Sequence, residues 1–276
     1  MVGLKEFSKK QIIIVAHRGS AGGNIPCNTM PAYRAALMQG ADMLEVDVTK
    51  SGDGELFIFH PGMEKRHLGF DGHIEQMTSE EVRTLRYQNQ DRTPTQFGLN
   101  TFDEILEEFK GKCYVNVDKF WDNPKEIYER IKHHSMQDQV LVKSTLSEKV
   151  LAVLKEVAPE LPFLAIVSKE HPMHDELLRY GINYVGAEVL FTSDTDTVAT
   201  EEFIHRMHND NCLVWANAII YNHKSQLAAG HSDDTALSVD PKLGWGWLAE
   251  RGFDFIQTDW TGLVVDYLKK NNIYYK

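Results

Sequence analysis

Two acidic residues stand two positions apart in the stretch ADMLEVDVTK. Successive side chains of a strand point to opposite faces, so Glu45 and Asp47 face one side, and Leu44, Val46 and Val48 face the other. Two carboxylates this close raise each other's pKa unless a cation lies between them. Oxygen ligands suit a hard divalent cation, so the pair predicts a site for one Mg²⁺ or Ca²⁺ ion. The alternative is a solvated edge strand with polar alternation.

The stretch IIIVAHRG ends an apolar run on two polar side chains, His17 and Arg18. A short run rich in Ile and Val is typical of a strand that is covered on both faces, as in parallel sheets. Ligand sites in such sheets lie at the carboxyl ends of the strands, which makes both side chains candidates for a site there. The alternative is that they cap the strand in solvent.

A hairpin is predicted to carry His60 back towards the acidic pair. The turn sequence SGDG, residues 51–54, follows the acidic strand directly. If Lys50 pairs with Glu55 across this turn, then Glu45 lies opposite His60. Two histidines, an arginine and two carboxylates would then converge at one edge of the sheet.

Three further strand ends offer polar or aromatic side chains. In CYVNVDKFW, alternation places Asn116 and Asp118 on one face, so Asp118 would give the metal a third carboxylate. The alternative for Asp118 is a cap of the following turn. Lys143 ends the apolar stretch VLVK, an unfavourable place for a charge unless it meets an anion. Trp215 ends the stretch CLVW, and we assign Lys143 and Trp215 to substrate binding.

Short apolar strands alternate with amphipathic helices along the whole chain. The strand candidates are Ile12–His17, Met43–Val48, Cys113–Asp118, Val140–Lys143, Phe163–Val167, Tyr184–Ala187, Leu213–Ala216 and Phe253–Thr258. Helix candidates lie between them, and one begins at a capping box formed by Thr78 and Glu81. This order predicts an α/β fold, a (β/α)8 TIM barrel with a β-hairpin and loop insertion after the second strand. We expect one domain over residues 1–276, with the insertion at about 51–100.

Composition excludes several classes of protein. The formal net charge of −11 at pH 7 disfavours binding to nucleic acid or to an anionic membrane surface. No stretch approaches the ~18 apolar residues of a membrane span, and three widely spaced cysteines predict no disulfide framework. The pairs His171/His174 and His205/His208 lie in charged stretches and are predicted to be solvated. The first residues lack the apolar core of a signal peptide, which favours a cytoplasmic protein, or a periplasmic or secreted one if a leader was removed.

The chain resembles the glycerophosphodiester phosphodiesterases. The similarity rests on the opening stretch AHRGSAGGNIPCNTMPAYRAALMQGADMLEVDVTKSGDGELFIFH, on LNTFDEILEEF and on GFDFIQTDWTGLVVDYL. The resemblance implies a (β/α)8 barrel that splits glycerol phosphodiesters with the help of Ca²⁺ or Mg²⁺. It further implies that His17 and His60 form an acid–base pair and that Arg18 binds the phosphate. Glu45, Asp47 and Asp118 would be the metal ligands.

Several positions depart from the pattern of that family. Cys27 stands where a Glu is usual, Phe120 where a phosphate-binding Lys is usual, and Pro61 where an Asp is usual. Lys143 or Lys119 could replace the missing lysine. The expected substrate is a small-molecule phosphodiester. The alternatives are a sphingomyelinase D-like phospholipase that forms a cyclic phosphate, and a catalytically silent barrel that binds phosphodiesters.

Overall fold

Eight parallel strands close into a barrel in the computed structural model, which describes residues 3–275. In chain order the strands are β1 (Ile13–His17), β2 (Met43–Lys50), β3 (Leu56–Ile58), β4 (Tyr114–Asp118), β5 (Val140–Thr145), β6 (Phe163–Ser168), β7 (Tyr184–Leu190), β8 (Leu213–Asn217), β9 (Ile220–Asn222), β10 (Ser225–Gln226) and β11 (Phe255–Thr258). Neighbours follow the order β1, β11, β8, β7, β6, β5, β4 and β2, and β2 pairs with β1 to close the ring. This arrangement confirms the predicted (β/α)8 barrel and its eight strands.

Helices connect the strands around the outside of the barrel. They are α1 (Leu4–Ser8), α2 (Met30–Met38), α3 (Glu64–His67), α4 (Ser79–Val82), α5 (Phe102–Phe109), α6 (Pro124–His133), α7 (Glu148–Val157), α8 (His174–Leu177), α9 (Glu201–Asn209), α10 (Asp233–Ser238), α11 (Trp247–Arg251) and α12 (Thr261–Lys270). The predicted capping box of Thr78 and Glu81 is confirmed at the start of α4. Between residues 3 and 275, none of the helices has the length and apolar character that crossing a membrane requires.

Two apolar layers stabilise the barrel. Outward-facing residues of β2, among them Leu44 and Val46, belong to a buried cluster that the surrounding helices share. A second cluster fills the lumen at the amino ends of the strands, where Ile13 and Met43 contribute and Leu4 of α1 packs against them. The lumen is therefore apolar at this end, and inward-facing polar side chains collect at the carboxyl ends. We call that end the mouth.

The segment after β2 forms the predicted hairpin and a small cluster of its own. Strand β3 runs antiparallel to β2, and the residues that follow wrap back to α5. Seven buried apolar residues of this segment pack against one another: Phe57, Phe59, Leu68, Ile74, Val82, Tyr87 and Leu99. The division of the chain into one domain stays a prediction.

The predicted register of the hairpin is wrong by one residue. Lys50 pairs with Leu56, not with Glu55, and the ladder ends where Val48 meets Ile58. The reason is local, because the Ser51 N–H donates to the carbonyl of Glu55 at 2.9 Å and the Ser51 Oγ accepts from the Glu55 N–H at 3.0 Å. These bonds close the loop one residue later than the turn sequence suggests, so His60 follows the ladder without pairing with Glu45.

The prediction of solvated helix faces is wrong for His171 and His174. Both are buried, with 7% and 2% of their surface exposed. The Tyr184 hydroxyl lies 2.8 Å from His171 Nε2 and 3.0 Å from His174 Nδ1, and His174 Nε2 lies 3.0 Å from an oxygen of Asp210. The hydroxyl and both imidazoles are therefore hydrogen-bonded inside the fold, and only His171 Nδ1 in this group has no partner among the described residues.

Candidate active site

Three carboxylates meet at the mouth on two neighbouring strands. The pairing of β2 with β4 places Asp47 beside Asp118, and Glu45 one pleat deeper beside Asn116. One oxygen from each of Glu45, Asp47 and Asp118 lies within 4.8 Å of the others. The structure therefore brings together the three predicted metal ligands.

The charges of the three carboxylates are compensated unevenly. Burial raises the pKa of Glu45 to about 7, and the charge of Asp47 adds to the rise. Burial also opposes ionisation of Asp118, but Lys119 and Lys143 outweigh it and hold the pKa of Asp118 below its usual range. A bound cation would relieve the repulsion that remains.

The donor set fits a hard divalent cation. Asp47 is fully buried, and its Oδ1 has no hydrogen-bond partner among the residues that the structure describes. Its other oxygen, Oδ2, lies 2.9 Å from Arg18 Nε and accepts from the Asn28 amide at 2.8 Å. Since a buried orphan oxygen is costly, Oδ1 is suited to a ligand, and all three donors are the oxygens that Mg²⁺ and Ca²⁺ prefer.

Arg18 holds the carboxylates from the end of β1. Its backbone is left-handed, with φ of 57°, and its N–H donates to Glu45 Oε2 at 3.0 Å while its Nε pairs with Asp47. The sharp turn continues at Gly19, where φ is 78° and an added Cβ would lie 2.7 Å from the Ala32 carbonyl carbon. Glycine is thus required for Arg18 to reach both acids.

Asn28 is a site residue that the sequence reasoning did not single out. Its side-chain amide donates to Asp47 Oδ2, and its Oδ1 accepts from the Tyr33 hydroxyl at 2.7 Å. Tyr33 lies on α2 and is fully buried, so helix and loop fix the orientation of the acid. The NT pair before α2 was visible in the sequence, but its contact with Asp47 was not.

His17 is held by a carboxylate that directly follows the last barrel strand. Its Nδ1 lies 2.8 Å from Asp259 Oδ1, which leaves Nε2 free of that bond. Burial lowers the pKa of His17, but the hydrogen bond to Asp259 and the charge of Glu45 outweigh it, and the net shift is upward. The Nδ1 proton therefore stays on the side of Asp259.

His60 offers its Nε2 in the same way. Its Nδ1 lies 2.9 Å from the carbonyl oxygen of Pro61, which can only accept, so Nδ1 carries the proton. His60 and Arg18 line one narrow cavity. The imidazole thus lies beside the arginine that binds Asp47, although the predicted pairing with Glu45 is absent.

Cys27 and His67 line the same cavity. The thiol of Cys27 lies 3.8 Å from His67 Nδ1, and burial raises the pKa of the thiol to about 11. Burial, with the charge of Arg18, lowers the pKa of His67 to about 4. Both side chains are therefore neutral near pH 7. Cys27 thus adds no negative charge at a position where the glycerophosphodiester phosphodiesterases, which this chain resembles, usually have Glu.

Lys143 lies in the lumen, below the rim of the mouth. Its ammonium is 2.7 Å from Glu188 Oε2 and 4.4 Å from the centre of the Trp215 ring. Burial opposes the charge of Lys143, but Glu188 and Asp118 outweigh it and the net shift of its pKa is upward. Glu188 also accepts from the Asn217 amide at 2.7 Å. Sequence reasoning missed Glu188, and substrate binding by Lys143 and Trp215 stays a prediction.

Lys119 offers a second cation at the mouth. Its ammonium lies 2.8 Å from Asp118 Oδ2, and 30% of its side chain is exposed. Its left-handed backbone, with φ of 61°, turns the chain after β4. That turn buries Phe120 completely in the apolar cluster that the barrel shares with the helices, while Lys119 stays at the rim.

Together, the barrel, the carboxylate cluster and the two histidines define the class of fold and site: a (β/α)8 barrel with acidic and imidazole side chains at its mouth. Sequence comparison narrows the class, because the model of the "Glycerophosphoryl diester phosphodiesterase family" matches residues 17–259. The chain belongs to this family, which confirms the resemblance.

Individual relatives agree with this assignment. A glycerophosphodiester phosphodiesterase of Bacillus altitudinis is 26% identical over 216 residues, which cover 73% of this chain and 83% of the relative. Two other curated relatives are matched over 66% and 64% of their own length, so the chain spans about two thirds of these proteins.

Solved structures share the fold. A glycerophosphoryl diester phosphodiesterase from Parabacteroides distasonis superposes with a TM-score of 0.80 at 20% identity, covering 97% of this chain and 91% of that one. An Oleispira antarctica phosphodiesterase, solved in complex with the product sn-glycerol-3-phosphate, superposes with a TM-score of 0.67 at 22% identity. That match covers 96% of this chain and 99% of the Oleispira chain.

Proposed function

We propose that this protein is a metal-dependent phosphodiesterase that hydrolyses glycerophosphodiesters to an alcohol and glycerol phosphate by acid–base catalysis. One observation carries the proposal: three carboxylates lie within 4.8 Å of one another at the mouth of a barrel whose family is named for this reaction. The sn-glycerol-3-phosphate bound by the Oleispira antarctica relative supports glycerol phosphate as a product.

Glu45, Asp47 and Asp118 would hold one divalent cation, Mg²⁺ or Ca²⁺. When bound, such an ion supplies positive charge that stabilises the extra negative charge of a phosphoryl transition state. The free Oδ1 of Asp47 supports this role. Arg18 and Asn28 would keep Asp47 oriented while its free oxygen faces the ion.

Cationic side chains of the chain would bind and orient the phosphate. Arg18 lies between the carboxylates and the cavity that His60 lines. Lys143 and Lys119 both lie close enough to Asp118 to lower its pKa, so either ammonium can meet a phosphate placed at the acids. Fixed positive charges of this kind stabilise charge that develops in the transition state.

His17 and His60 would move the protons, each at its Nε2. One imidazole accepts the proton of the attacking hydroxyl as the new P–O bond forms, and the other, as imidazolium, gives its proton to the leaving alkoxide as that P–O bond breaks. If a neighbouring hydroxyl of the glycerol attacks, the product is a cyclic phosphate. Water then opens the ring, with the two histidines in exchanged roles.

A substrate panel tests the proposal. Glycerophospho-alcohols and lysolipids are incubated with the protein in EDTA, in Mg²⁺ or in Ca²⁺, and released alcohol, glycerol phosphate and cyclic phosphate are measured. We expect metal-dependent release of alcohol and glycerol phosphate, lost by orders of magnitude in the variants His17→Ala and His60→Ala. An exposed histidine provides the control, since His205→Ala should keep full activity. Absence of turnover of every glycerophosphodiester by the folded protein with either metal would contradict the proposal.

The same panel separates the alternatives. A sphingomyelinase D-like phospholipase would convert lysolipids to a stable cyclic phosphate and leave glycerophospho-alcohols untouched. A catalytically silent barrel would bind phosphodiesters without releasing any alcohol.

A further inference from the structure

The segment between β8 and β11 folds back to the mouth and places a buried aspartate behind the last barrel strand. Asp233 is the first residue of α10, and only 3% of its surface is exposed. Its N–H donates to the carbonyl of Ala218, just beyond β8, at 2.7 Å. The position of Asp233 is thus fixed by both the helix and the barrel.

Three donors converge on the carboxylate of Asp233. Oδ1 accepts from the Thr258 hydroxyl at 2.7 Å and from Trp245 Nε1 at 2.6 Å. Oδ2 accepts from the backbone N–H of Asp259 at 2.9 Å. Thr258 Oγ1 in turn accepts from the Trp260 N–H at 2.9 Å. These bonds fix the backbone of residues 258–260, where β11 ends.

Asp259 needs such support because its own side chain is half exposed. Its carboxylate is 53% exposed and bonds His17 Nδ1 at 2.8 Å. An exposed side chain on a free strand end would sample several rotamers, and the imidazole would follow it. The bond between the Asp259 N–H and the Asp233 carboxylate fixes the backbone from which the Asp259 side chain extends, and so restricts where its carboxylate can lie.

We infer that Asp233 is a positioning residue for His17, acting through Asp259. The inference rests on the proposed function for the role of His17, but the chain of contacts from Asp233 to the imidazole does not. Asp233 touches no group of the substrate site itself; it determines where Asp259 stands, and Asp259 determines where His17 Nδ1 points.

An amide cannot replace this carboxylate. Asp233 presents two acceptor oxygens to three donors, whereas Asn has one acceptor and one donor group of nearly the same shape. If the amide oxygen faces Thr258 and Trp245, the NH₂ group meets the N–H of Asp259, and that bond is lost. The variant Asp233→Asn therefore keeps the volume of the side chain and loses the bond to the N–H of Asp259.

The kinetic test compares Asp233→Asn with Asp259→Ala and with both changes together. We expect Asp233→Asn to lower kcat by about 10- to 100-fold, the effect of a small misplacement of a catalytic group, while KM changes little because Arg18 and Lys119 are untouched. In the Asp259→Ala background the same change should cost nothing further, since the two residues act in series. Asp259→Asn, which keeps an acceptor for His17, should recover part of the loss.

A second readout needs no turnover. In the metal-free protein, the Nδ1 proton of His17 should give an NMR signal protected from exchange by the bond to Asp259, and this signal should weaken in Asp233→Asn. Because no substrate is present, the NMR result decides the inference even if the substrate panel finds no hydrolysis. The two failures are therefore distinguishable.

Asp254 provides the matched control. It is also buried, with 3% exposed, but it lies at the amino end of β11, where it accepts from the Val214 N–H at 2.8 Å. Asp254→Asn should lower Tm yet preserve kcat and the His17 signal. If Asp233→Asn does not fold, Thr258→Val removes one donor to the same carboxylate, with the same expected loss of the NMR signal. An unchanged kcat and an unchanged His17 signal in either folded variant, or a further loss of kcat in the double variant, would overturn the inference.

Discussion

Replacing Lys143 by Met tests the ion pair inside the lumen. Lys143 is 6% exposed and its ammonium is 2.7 Å from Glu188, so the substitution leaves Glu188 as an uncompensated buried charge. Removal of one partner of a buried pair costs about 3–5 kcal/mol, and we expect Lys143→Met to lower the free energy of unfolding by that amount. Urea unfolding, followed by circular dichroism, measures the change.

A double variant separates the pair from its surroundings. Lys143→Met with Glu188→Gln removes both charges, and the Gln carbonyl can still accept from the Asn217 amide. The double variant should therefore be more stable than Lys143→Met, by about 2 kcal/mol or more, because no unpaired charge remains. Losses that simply add in the double variant would refute the ion-pair argument.

The same variants test whether Lys143 also binds the phosphate. Loss of one charged hydrogen bond, about 1.5–3 kcal/mol, corresponds to a fall in kcat/KM of about 10- to 100-fold. We expect this fall in Lys143→Met and in the double variant alike, since neither has the ammonium. If the double variant regains full kcat/KM, Lys143 serves stability alone and the assignment of Lys143 to the substrate is refuted.

Two further predictions concern stability. Burial lowers the pKa of His171 from 6.5 to about 4. Between these two pH values His171 is therefore protonated in the unfolded chain and neutral in the folded chain. Stability is fully present above pH 6.5 and should fall by up to about 3 kcal/mol as pH drops to 4. Denaturation at several pH values should show a shallower slope in His171→Asn, while exposed His205→Asn should keep the original slope. Gly19→Ala should destabilise by more than about 1 kcal/mol in urea unfolding, because φ is +78° and the Cβ would meet the Ala32 backbone; a neutral result would contradict the geometry.

The sequence was sufficient to predict the features that depend on how apolar and polar residues alternate within one strand or helix. Alternation placed Glu45 and Asp47 on one face, and the apolar run of β1 indicated a strand that ends at His17. The barrel followed because eight such strands alternate with helices. These predictions rest on side-chain direction within a single element, and composition and spacing determine that direction.

Contacts between distant segments were beyond such reasoning. Asp259 lies 242 positions from His17, and no local pattern pairs them. The hairpin register depended on side-chain bonds of Ser51, which a turn sequence does not display. His171 was placed in solvent because its neighbours in sequence are charged, whereas its burial depends on Tyr184.

The most direct test of the central claim measures hydrolysis of a glycerophosphodiester before and after removal of divalent cations. The carboxylate cluster predicts that excess EDTA abolishes release of the alcohol and that added Mg²⁺ or Ca²⁺ restores it. Asp47→Asn, which replaces one oxygen of the cluster by an amide, should need a higher concentration of the cation for the same rate. Full activity of the native protein in excess EDTA would contradict the claim.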